Sequence, residues 1–280
     1  MSSGLILIII TIYFIVLIGI SLVTGKDNGN DTFFKGNKQS PWYLVAFGMI
    51  GASLSGVTFI SIPGGVGNSG MGYMQIVFGY FIGYVIVSYV LLPLYYRMNL
   101  VSIYSYLQKR FGEYSYKTGS AYFLISRIAG ASIRLLLVAK VLHLFVFKSI
   151  GVSFEVTVAI SILLIWVYTF RGGIKTVVWT DTLQTAFMLL AVILTIFGIA
   201  SQMDMSVVQL VGEVKESELS NMFHFDDFKA KNYFWKQVIG GMLITICMTG
   251  LDQDMMQKNL TCKNIKEAQK NMLSFSSILI

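Results

Sequence analysis

The sequence predicts an all-α protein that crosses a membrane several times. Of its 280 residues, 55% are hydrophobic and only 12% are charged, and its mean hydropathy is +0.69. Several apolar runs approach or exceed the roughly 20 residues that a helix needs to span a bilayer. The net charge of +7 therefore indicates contact with a membrane surface rather than with nucleic acid, and a soluble globular fold is disfavoured.

These apolar runs define the predicted spans. The first run, 5–23, has no basic leader and no clear cleavage site, so we interpret it as a helix rather than a signal peptide. The last run stops after a few residues, so we expect the chain to be part of a longer protein. The predicted spans lie near residues 4–24, 41–63, 72–96, 118–147, 153–170, 176–200 and 237–256, with another beginning near 271.

Lys and Arg residues predict the orientation. Most of the 21 Lys and Arg residues fall in one set of alternate loops, which the positive-inside rule assigns to the cytoplasm. The N-terminus and the loop 201–236 are then outside, in a plasma membrane or a cell inner membrane. The cytoplasmic set is Lys26, Lys35, Lys38, Arg97, Lys109, Arg110, Lys117, Arg171, Lys175, Lys258, Lys263, Lys266 and Lys270. Within the outside loop, the aromatic residues of 223–235 indicate either a short interfacial helix or, as we prefer, an aromatic belt.

The middle of the second predicted span is rich in residues that destabilise a helix. Residues 40–67 read SPWYLVAFGMIGASLSGVTFISIPGGVG, with Ser40 as a candidate N-cap and Pro41 at the first helical position. Small residues cluster between 48 and 56, and glycine weakens a helix interior by about 1 kcal/mol relative to alanine. We predict a broken helix whose freed carbonyls bind a small cation. The alternative is an intact helix whose small residues admit a close neighbour.

Three uncharged polar residues are candidate solute contacts. Ser55 and Thr58 share a helix face with Gly51, and Gln75 lies one turn into the next span, with glycines at i+4 and i+8. The two hydroxyls would bind a polar solute or Na⁺, or hydrogen-bond to carbonyls of their own helix. The glutamine amide would orient a solute or bond to a neighbouring helix.

Three charged residues inside the spans are further candidates. Arg127 falls about 14 Å into its span, near the bilayer midplane, and Arg134 follows seven residues later on the same face. A charge at that depth faces a cavity or a partner. The guanidinium suits a solute carboxylate, although a structural ion pair is the alternative. Asp181 lies just inside the sixth span, where it would neutralise a cation or stabilise the helix N-terminus.

The sequence contains no motif that is typical of an enzyme. The two cysteines, Cys247 and Cys262, indicate neither a disulfide framework nor a metal site. The two histidines are far apart, and HExxH, Walker and serine-hydrolase motifs are absent. No stretch resembles the filter of a channel. The sequence therefore predicts that the protein is not an enzyme.

Four stretches of the chain form a recognisable series when they are read in order. They are DTFFKGNKQSPWYLVAFGMIGASLSGVTFISIPGG, MQIVFGYFIGYVIVSYVLLPLYYRMNLVSIYSYLQKRFG, RGGIKTVVWTDTLQTAFML and GLDQDMMQKNLTCKNIKEAQK. In order and spacing they resemble the first, second, fifth and sixth core helices of the sodium:solute symporter family. That family includes bacterial sialic acid, galactose and proline symporters.

The resemblance implies a leucine-transporter-like fold, in which two inverted five-helix repeats follow a leading helix. The leading helix and its loop would occupy 1–40 and the first repeat 41–200. The loop 201–236 would lie outside, and 237–280 would begin a truncated second repeat.

The resemblance also implies the site. The backbone carbonyls of Gly51 and Leu54 match the sodium-coordinating pair of the first core helix, whose hydroxyl partners would lie beyond Ile280. Asp181 matches the acid of a second sodium site that some members have. Arg127 aligns with the arginine that sialic acid symporters use on the solute carboxylate. The solute-contacting positions of the family match Ser55, Thr58, Gln75 and Arg127.

Two positions depart from the sugar-transporting members. These members have a gating aromatic near Met248 and a Trp where this chain has Thr249, so an aromatic-gated sugar pocket is not expected. We expect Asp252 and Asp254 to serve either as polar contacts at the inner end of the helix or as helix caps.

The expected function is sodium-coupled symport of a small polar solute by alternating access, such as a carboxylated sugar or another organic anion. Na⁺ would be the coupling ion, the solute and the lipid bilayer the other partners, and no nucleic acid is expected. The alternative is a membrane sensor domain that keeps the fold without transporting.

Overall fold

A computed structural model describes residues 3–24, 38–54, 56–100, 102–169 and 173–280, which are predominantly helical. Within these ranges no strand is present, and an isolated backbone bridge joins Ser40 to Cys262. The α-helices are α1 Ser3–Thr24, α2 Trp42–Ser53, α3 Gly56–Ser69, α4 Tyr73–Ile86, α5 Leu92–Arg97, α6 Tyr104–Phe111, α7 Glu113–Leu142, α8 Phe154–Thr169, α9 Gly173–Gln202, α10 Val207–Glu216, α11 Phe234–Thr245, α12 Gln253–Asn259 and α13 Ile265–Ile278. π-helical turns extend three of them at Val87–Leu91, His143–Phe147 and Ile246–Gly250.

The helix lengths confirm a multi-pass membrane protein. Among the described residues, four helical segments are long and apolar enough to cross a bilayer, and a bent pair supplies a fifth. α2 and α8 are apolar but shorter, with 12 and 16 residues. The five candidates are Gly4–Val23, Ser61–Arg97, Glu113–Ile150, Thr176–Gln202, and the pair Phe234–Gly250 and Gln253–Asn259.

The described helices divide between two compact units. The first unit lies within 1–37 and 100–180, and the second within 38–99 and 181–280. In the first unit, α6 packs on α7, where the rings of Tyr104 and Phe123 have centroids 5.4 Å apart. α1 and α8 also contact each other there. Many large apolar side chains on α1, α7 and α8 remain exposed, as helices that face lipid require.

In the second unit, α4 packs along α11 at very close range. A Cβ atom added to Gly79 would overlap the Val238 carbonyl, and one added to Gly241 would overlap the Ile76 carbonyl. Small residues that let two backbones touch are typical of membrane helix pairs. The glycines at i+4 and i+8 from Gln75, Gly79 and Gly83, thus let the backbone of α11 approach α4. The buried core around this pair includes Met49, Ile50, Val87, Leu92, Met256, Met272 and Phe275.

The long loop before α11 contains a helix, α10, that the sequence did not reveal. The aromatic stretch of the loop is irregular rather than helical. The rings of Phe223, Phe225 and Phe234 contact one another, with centroids 4.6 to 6.4 Å apart. Phe223 also stacks on Phe78 of α4 at 6.0 Å. An interfacial helix at this place is therefore wrong, and the aromatic residues form a packed cluster against α4.

Candidate functional site

The predicted break in the second span is present. α2 ends at Ser53, and Leu54 is extended (φ −82°, ψ 107°) while its N–H donates to the Ile50 carbonyl at 2.8 Å. α3 begins at Gly56 and continues through Ser69, beyond the predicted end of the span at 63. The last carbonyls of a helix lack N–H partners within it and carry the negative end of its dipole. Main-chain oxygens at a helix end are ligands that suit a small hard cation, and the binding of Na⁺ by the carbonyls of Gly51 and Leu54 stays a prediction.

At Gly51, the interrupted second span is in contact with α9. Its N–H donates to Thr185 Oγ1 at 2.9 Å, and the same hydroxyl donates to the Asp181 carbonyl at 2.8 Å. A Cβ atom at position 51 would overlap the Thr185 hydroxyl and lie 3.2 Å from the Asp181 carbonyl oxygen. One turn earlier, Thr182 Oγ1 donates to the Leu44 carbonyl at 3.3 Å. The helix that carries the break therefore touches the helix that carries the predicted acid, and only glycine fits at the contact.

The Asp181 carboxylate is engaged by a lysine from α12. Lys258 Nζ lies 2.7 Å from Asp181 Oδ2, and the two side chains are only 5% and 15% exposed. Such a distance is that of a charge-assisted hydrogen bond. The sequence predicts a loop at Lys258, which is wrong: the residue lies in α12 with its side chain buried, while its side of the membrane stays a prediction. The predicted span ends at 256, and the loop assignment follows from that end.

A second helix break lies at the end of α11. The π turn after α11 ends at Gly250, and the axis bends by 71° before α12 begins. Asp252 caps α12 by accepting a hydrogen bond from the Met255 N–H at 3.2 Å. Tyr95 donates to the Gly250 carbonyl at 2.8 Å. The predicted continuous span 237–256 is therefore interrupted, and of the two roles considered for Asp252 the structure shows the cap.

Tyr84 connects the two breaks. Its hydroxyl lies close to the side chains of Thr249, in the π turn, and Ser53, at the end of α2. Its ring is 5% exposed and meets the Phe275 ring edge-on, with centroids 4.9 Å apart. Met248, where sugar-transporting members have an aromatic, is exposed. Hydroxyls and main-chain oxygens thus converge where both helices are interrupted, an arrangement able to bind a cation or a polar solute.

Gln75 is held by the protein itself. Its side chain is fully buried, and its amide nitrogen donates to the carbonyls of Gly72 at 3.2 Å and Asn232 at 3.0 Å. Its amide oxygen accepts from the His224 N–H at 3.1 Å. Both N–H donors are used, so in this structure the side chain fastens the long loop to the start of α4. A solute contact by Gln75 stays a prediction.

Gln75→Leu should loosen that loop. The substitution removes a hydrogen-bond partner from three backbone groups, and a buried group that stays unsatisfied costs about 1–3 kcal/mol. We expect faster amide hydrogen exchange around His224 and Asn232, with exchange in α10 unchanged as the internal control. Equal exchange at these residues in both proteins would contradict the fastening role.

The remaining predicted residues lie elsewhere. Ser55 is outside the described residues. Thr58 is half-buried on α3. Arg127 and Arg134 are on α7, in the other unit; the Arg127 guanidinium lies 5.4 Å from the Phe123 ring centroid, and Arg134 is exposed. The structure thus brings Gly51 and Asp181 together and leaves the solute roles of the others as predictions.

Three contributors to this site were missed in the sequence. The partner of Lys258 is 77 residues away along the chain, and the partner of Thr185 is 134 residues away. The nearer of the two partners of Tyr84 is 31 residues away. Tyr84 sits in an apolar run, and Thr185 in an ordinary helical sequence. The available signal was the position of Thr185, one turn after Asp181, on the face that carries the acid.

The comparisons with known proteins agree with this architecture. A Na⁺-coupled sialic acid symporter, solved in a substrate-bound outward-open state, superposes with a TM-score of 0.76 over 95% of this chain and 56% of its own, at 22% identity. The likeness shows the shared fold, including its inverted-repeat helical architecture.

Curated relatives match at similar identity. The chain is 25% identical to the sodium/sialic acid symporter NanT of Aliivibrio fischeri, over 91% of this chain and 50% of the relative. It is 23% identical to the human sodium/iodide cotransporter, over 91% and 39%. It is 25% identical to the human sodium-coupled monocarboxylate transporter 1, over 89% and 40%. The chain thus spans half or less of the length of these relatives, which are transporters rather than enzymes.

The comparison with whole families also covers most of the chain. Residues 33–280, which contain both helix breaks and the Asp181–Lys258 pair, match the sodium:solute symporter family. The sequence pattern, the interrupted helices and the superposed fold lead to one conclusion. The chain belongs to the sodium:solute symporter family.

Proposed function

We propose that the protein containing this chain is a sodium-coupled symporter that imports a small polar organic solute by alternating access. The observation that carries the proposal is the interrupted α2, whose Gly51 contacts Thr185 and Asp181 of α9. Interrupted helices with free main-chain oxygens are the usual ion sites of secondary transporters. The names of the three relatives all specify sodium.

The residues of this chain would act in definite ways. The carbonyl oxygens of Gly51 and Leu54 would hold Na⁺, and the Thr185 hydroxyl fixes the adjoining N–H group. Tyr84, whose hydroxyl lies close to Ser53 and Thr249, would help to hold the two interrupted helices together while solute binds beside them. A bound Na⁺ supplies positive charge at the break, and coupling requires that one conformation bind it better than the other.

The two helix breaks support a proposal about repeats. One break lies in the first helix of 41–200, and the other in the first helix of 237–280. An interruption at the same place in each segment is the pattern of an inverted repeat. We therefore assign these segments to a first repeat and to the start of a second, joined by 201–236 and preceded by 1–40.

We assign the solute to the organic anions. The relatives are named for sialic acid, monocarboxylates and iodide, all of which are anions at neutral pH. Arg127 and Arg134 would pair with the solute carboxylate, since a guanidinium offers two parallel donors. Ser55, Thr58 and Gln75 would supply neutral contacts. The positive-inside rule places the N-terminus outside, in a plasma membrane or a cell inner membrane.

Uptake into proteoliposomes tests the function. The full-length protein would be presented with labelled carboxylates, sugars and neutral amino acids, each with an inward Na⁺ gradient and with choline in its place. We expect accumulation of at least one carboxylate that requires Na⁺. Binding without accumulation for every solute would instead favour the sensor alternative.

Arg127→Ala should impair uptake of carboxylated solutes more than uptake of neutral ones. Loss of a bidentate charged contact typically reduces affinity by tenfold or more. Arg127→Lys is the matched variant, because it keeps the charge and removes the planar fork, and we expect intermediate uptake. An equal loss for charged and neutral solutes would contradict recognition by Arg127.

A further inference from the structure

The second sodium site implied by the family resemblance does not fit this chain as it is folded. Its acid is Asp181, and the Lys258 ammonium lies 2.7 Å from Asp181 Oδ2. A positive charge is therefore already in direct contact with the carboxylate. An ammonium is a compact, point-like cation, so it satisfies the same charge requirement that a bound Na⁺ would.

The surroundings keep the lysine in place. Lys258 is 4% exposed as a residue, and its helix is capped by Asp252 directly after the second break. The next residue, Asn259, is fully buried and donates to the Met255 carbonyl at 3.0 Å. The lysine stem therefore leaves a short, well-anchored helix, and its head reaches α9 through protein rather than through solvent.

The charge balance argues against a second cation at this carboxylate. Among the described residues, Asp181 and Lys258 form a neutral pair, and a Na⁺ added beside that pair would leave an excess positive charge in a largely buried place. Burying an uncompensated charge is strongly unfavourable. Asp254 also interacts with Asp181, but its side chain is exposed, so water screens the negative charge that it adds.

We propose that Lys258 is a tethered substitute for the second Na⁺, so that the protein couples transport to one Na⁺, held at the α2 break. The proposal rests on the proposed sodium-coupled function. The lysine keeps α9 and α12 joined at Asp181, which is the connection that a bound ion would otherwise make. Removal of the ammonium should open the carboxylate to Na⁺.

Lys258→Gln tests the substitution. In the full-length protein we expect uptake to depend on Na⁺ with a Hill coefficient near 1, and in Lys258→Gln with a coefficient that rises toward 2. The melting temperature of Lys258→Gln should fall without Na⁺ and recover as Na⁺ is added, more than that of the unaltered protein. Lys263→Gln is the matched control, because Lys263 is an exposed cation of the same segment.

The outcomes separate this proposal from the function itself. A Hill coefficient near 2 in the unaltered protein that falls to 1 in Asp181→Asn would overturn the substitution while leaving sodium coupling intact. Lys258→Gln with unchanged Na⁺ dependence in both uptake and melting would also overturn it. If Lys258→Gln does not fold, Lys258→Arg and the neutral double variant Asp181→Asn/Lys258→Gln replace it. Lys258→Arg should keep a Hill coefficient near 1 for Na⁺. The double variant should gain no additional stability when Na⁺ is added. Uptake that is independent of Na⁺ in the unaltered protein would instead reject the proposed function.

Discussion

Asp181→Asn should lower the free energy of unfolding by about 3–5 kcal/mol, because it leaves a buried ammonium without its counter-charge. Lys258 Nζ is 2.7 Å from the carboxylate, and its side chain is 5% exposed, so water cannot readily replace the lost partner. Denaturant unfolding of the detergent-solubilised protein measures the effect. Added Na⁺ should not restore stability, since it adds positive charge beside an unpaired lysine.

The matched control is Asp254→Asn, the same chemical change at an exposed position of α12. Its effect should stay within about 0.5 kcal/mol. The double variant Asp181→Asn/Lys258→Gln should be more stable than Asp181→Asn alone, because no charge is left unpaired. Equal destabilisation by Asp181→Asn and Asp254→Asn would contradict a buried pair.

Gly51→Ala should reduce both stability and sodium affinity. The added methyl group would occupy the space of the Thr185 hydroxyl, and overpacking of this kind costs about 1–3 kcal/mol. To relieve the overlap, α2 must move away from α9, which displaces the carbonyl oxygens at 51 and 54. We expect the Na⁺ concentration for half-maximal uptake to rise about tenfold, which corresponds to about 1.4 kcal/mol.

Gly64→Ala is the control for this substitution, because a Cβ atom at that position meets no atom within 4 Å. It should leave sodium affinity unchanged, and it should preserve or slightly raise helix stability. Thr185→Ala combined with Gly51→Ala removes the overlapping hydroxyl and should recover part of the affinity. Similar Na⁺ dependence for Gly51→Ala and Gly64→Ala would show that the close contact is unimportant.

The membrane architecture was accessible from the sequence because hydrocarbon imposes it. A backbone that crosses a bilayer must satisfy its own hydrogen bonds, so long apolar runs predict helices directly. The break in α2 was also predictable, since glycine, serine and a following proline lie close together in the middle of one run. Its exact place, between Ser53 and Gly56, and the continuation of α3 to Ser69 were not.

The second break was missed because the predicted span continues through Gly250 and Asp252 to residue 256. Gly250 followed by Asp252 is typical of a helix leaving the membrane. In the structure the same residues end one helix and cap the next, and the chain continues into α12. Local sequence does not distinguish these two cases, because the difference lies in tertiary contacts such as the hydrogen bond from Tyr95 to the Gly250 carbonyl.

Lys258 illustrates what pattern reasoning could not supply about the site. Counting cations by loop treats each lysine as a solvent-exposed charge, and most lysines are. The burial of Lys258 depends on a carboxylate 77 residues earlier in the chain. The resemblance to a family identified Asp181 as a cation ligand, but only the fold shows that the chain's own ammonium lies beside it.

The central claim is that the interrupted α2 presents main-chain oxygens to an alkali cation. Anomalous diffraction from crystals of the full-length protein, grown with Tl⁺ in place of Na⁺, locates such an ion directly. We predict an anomalous peak in contact with the carbonyl oxygens of Gly51 and Leu54, which diminishes as Na⁺ is added back. A continuous helix through 51–58, or a Na⁺-sensitive peak only at another place, would contradict the claim.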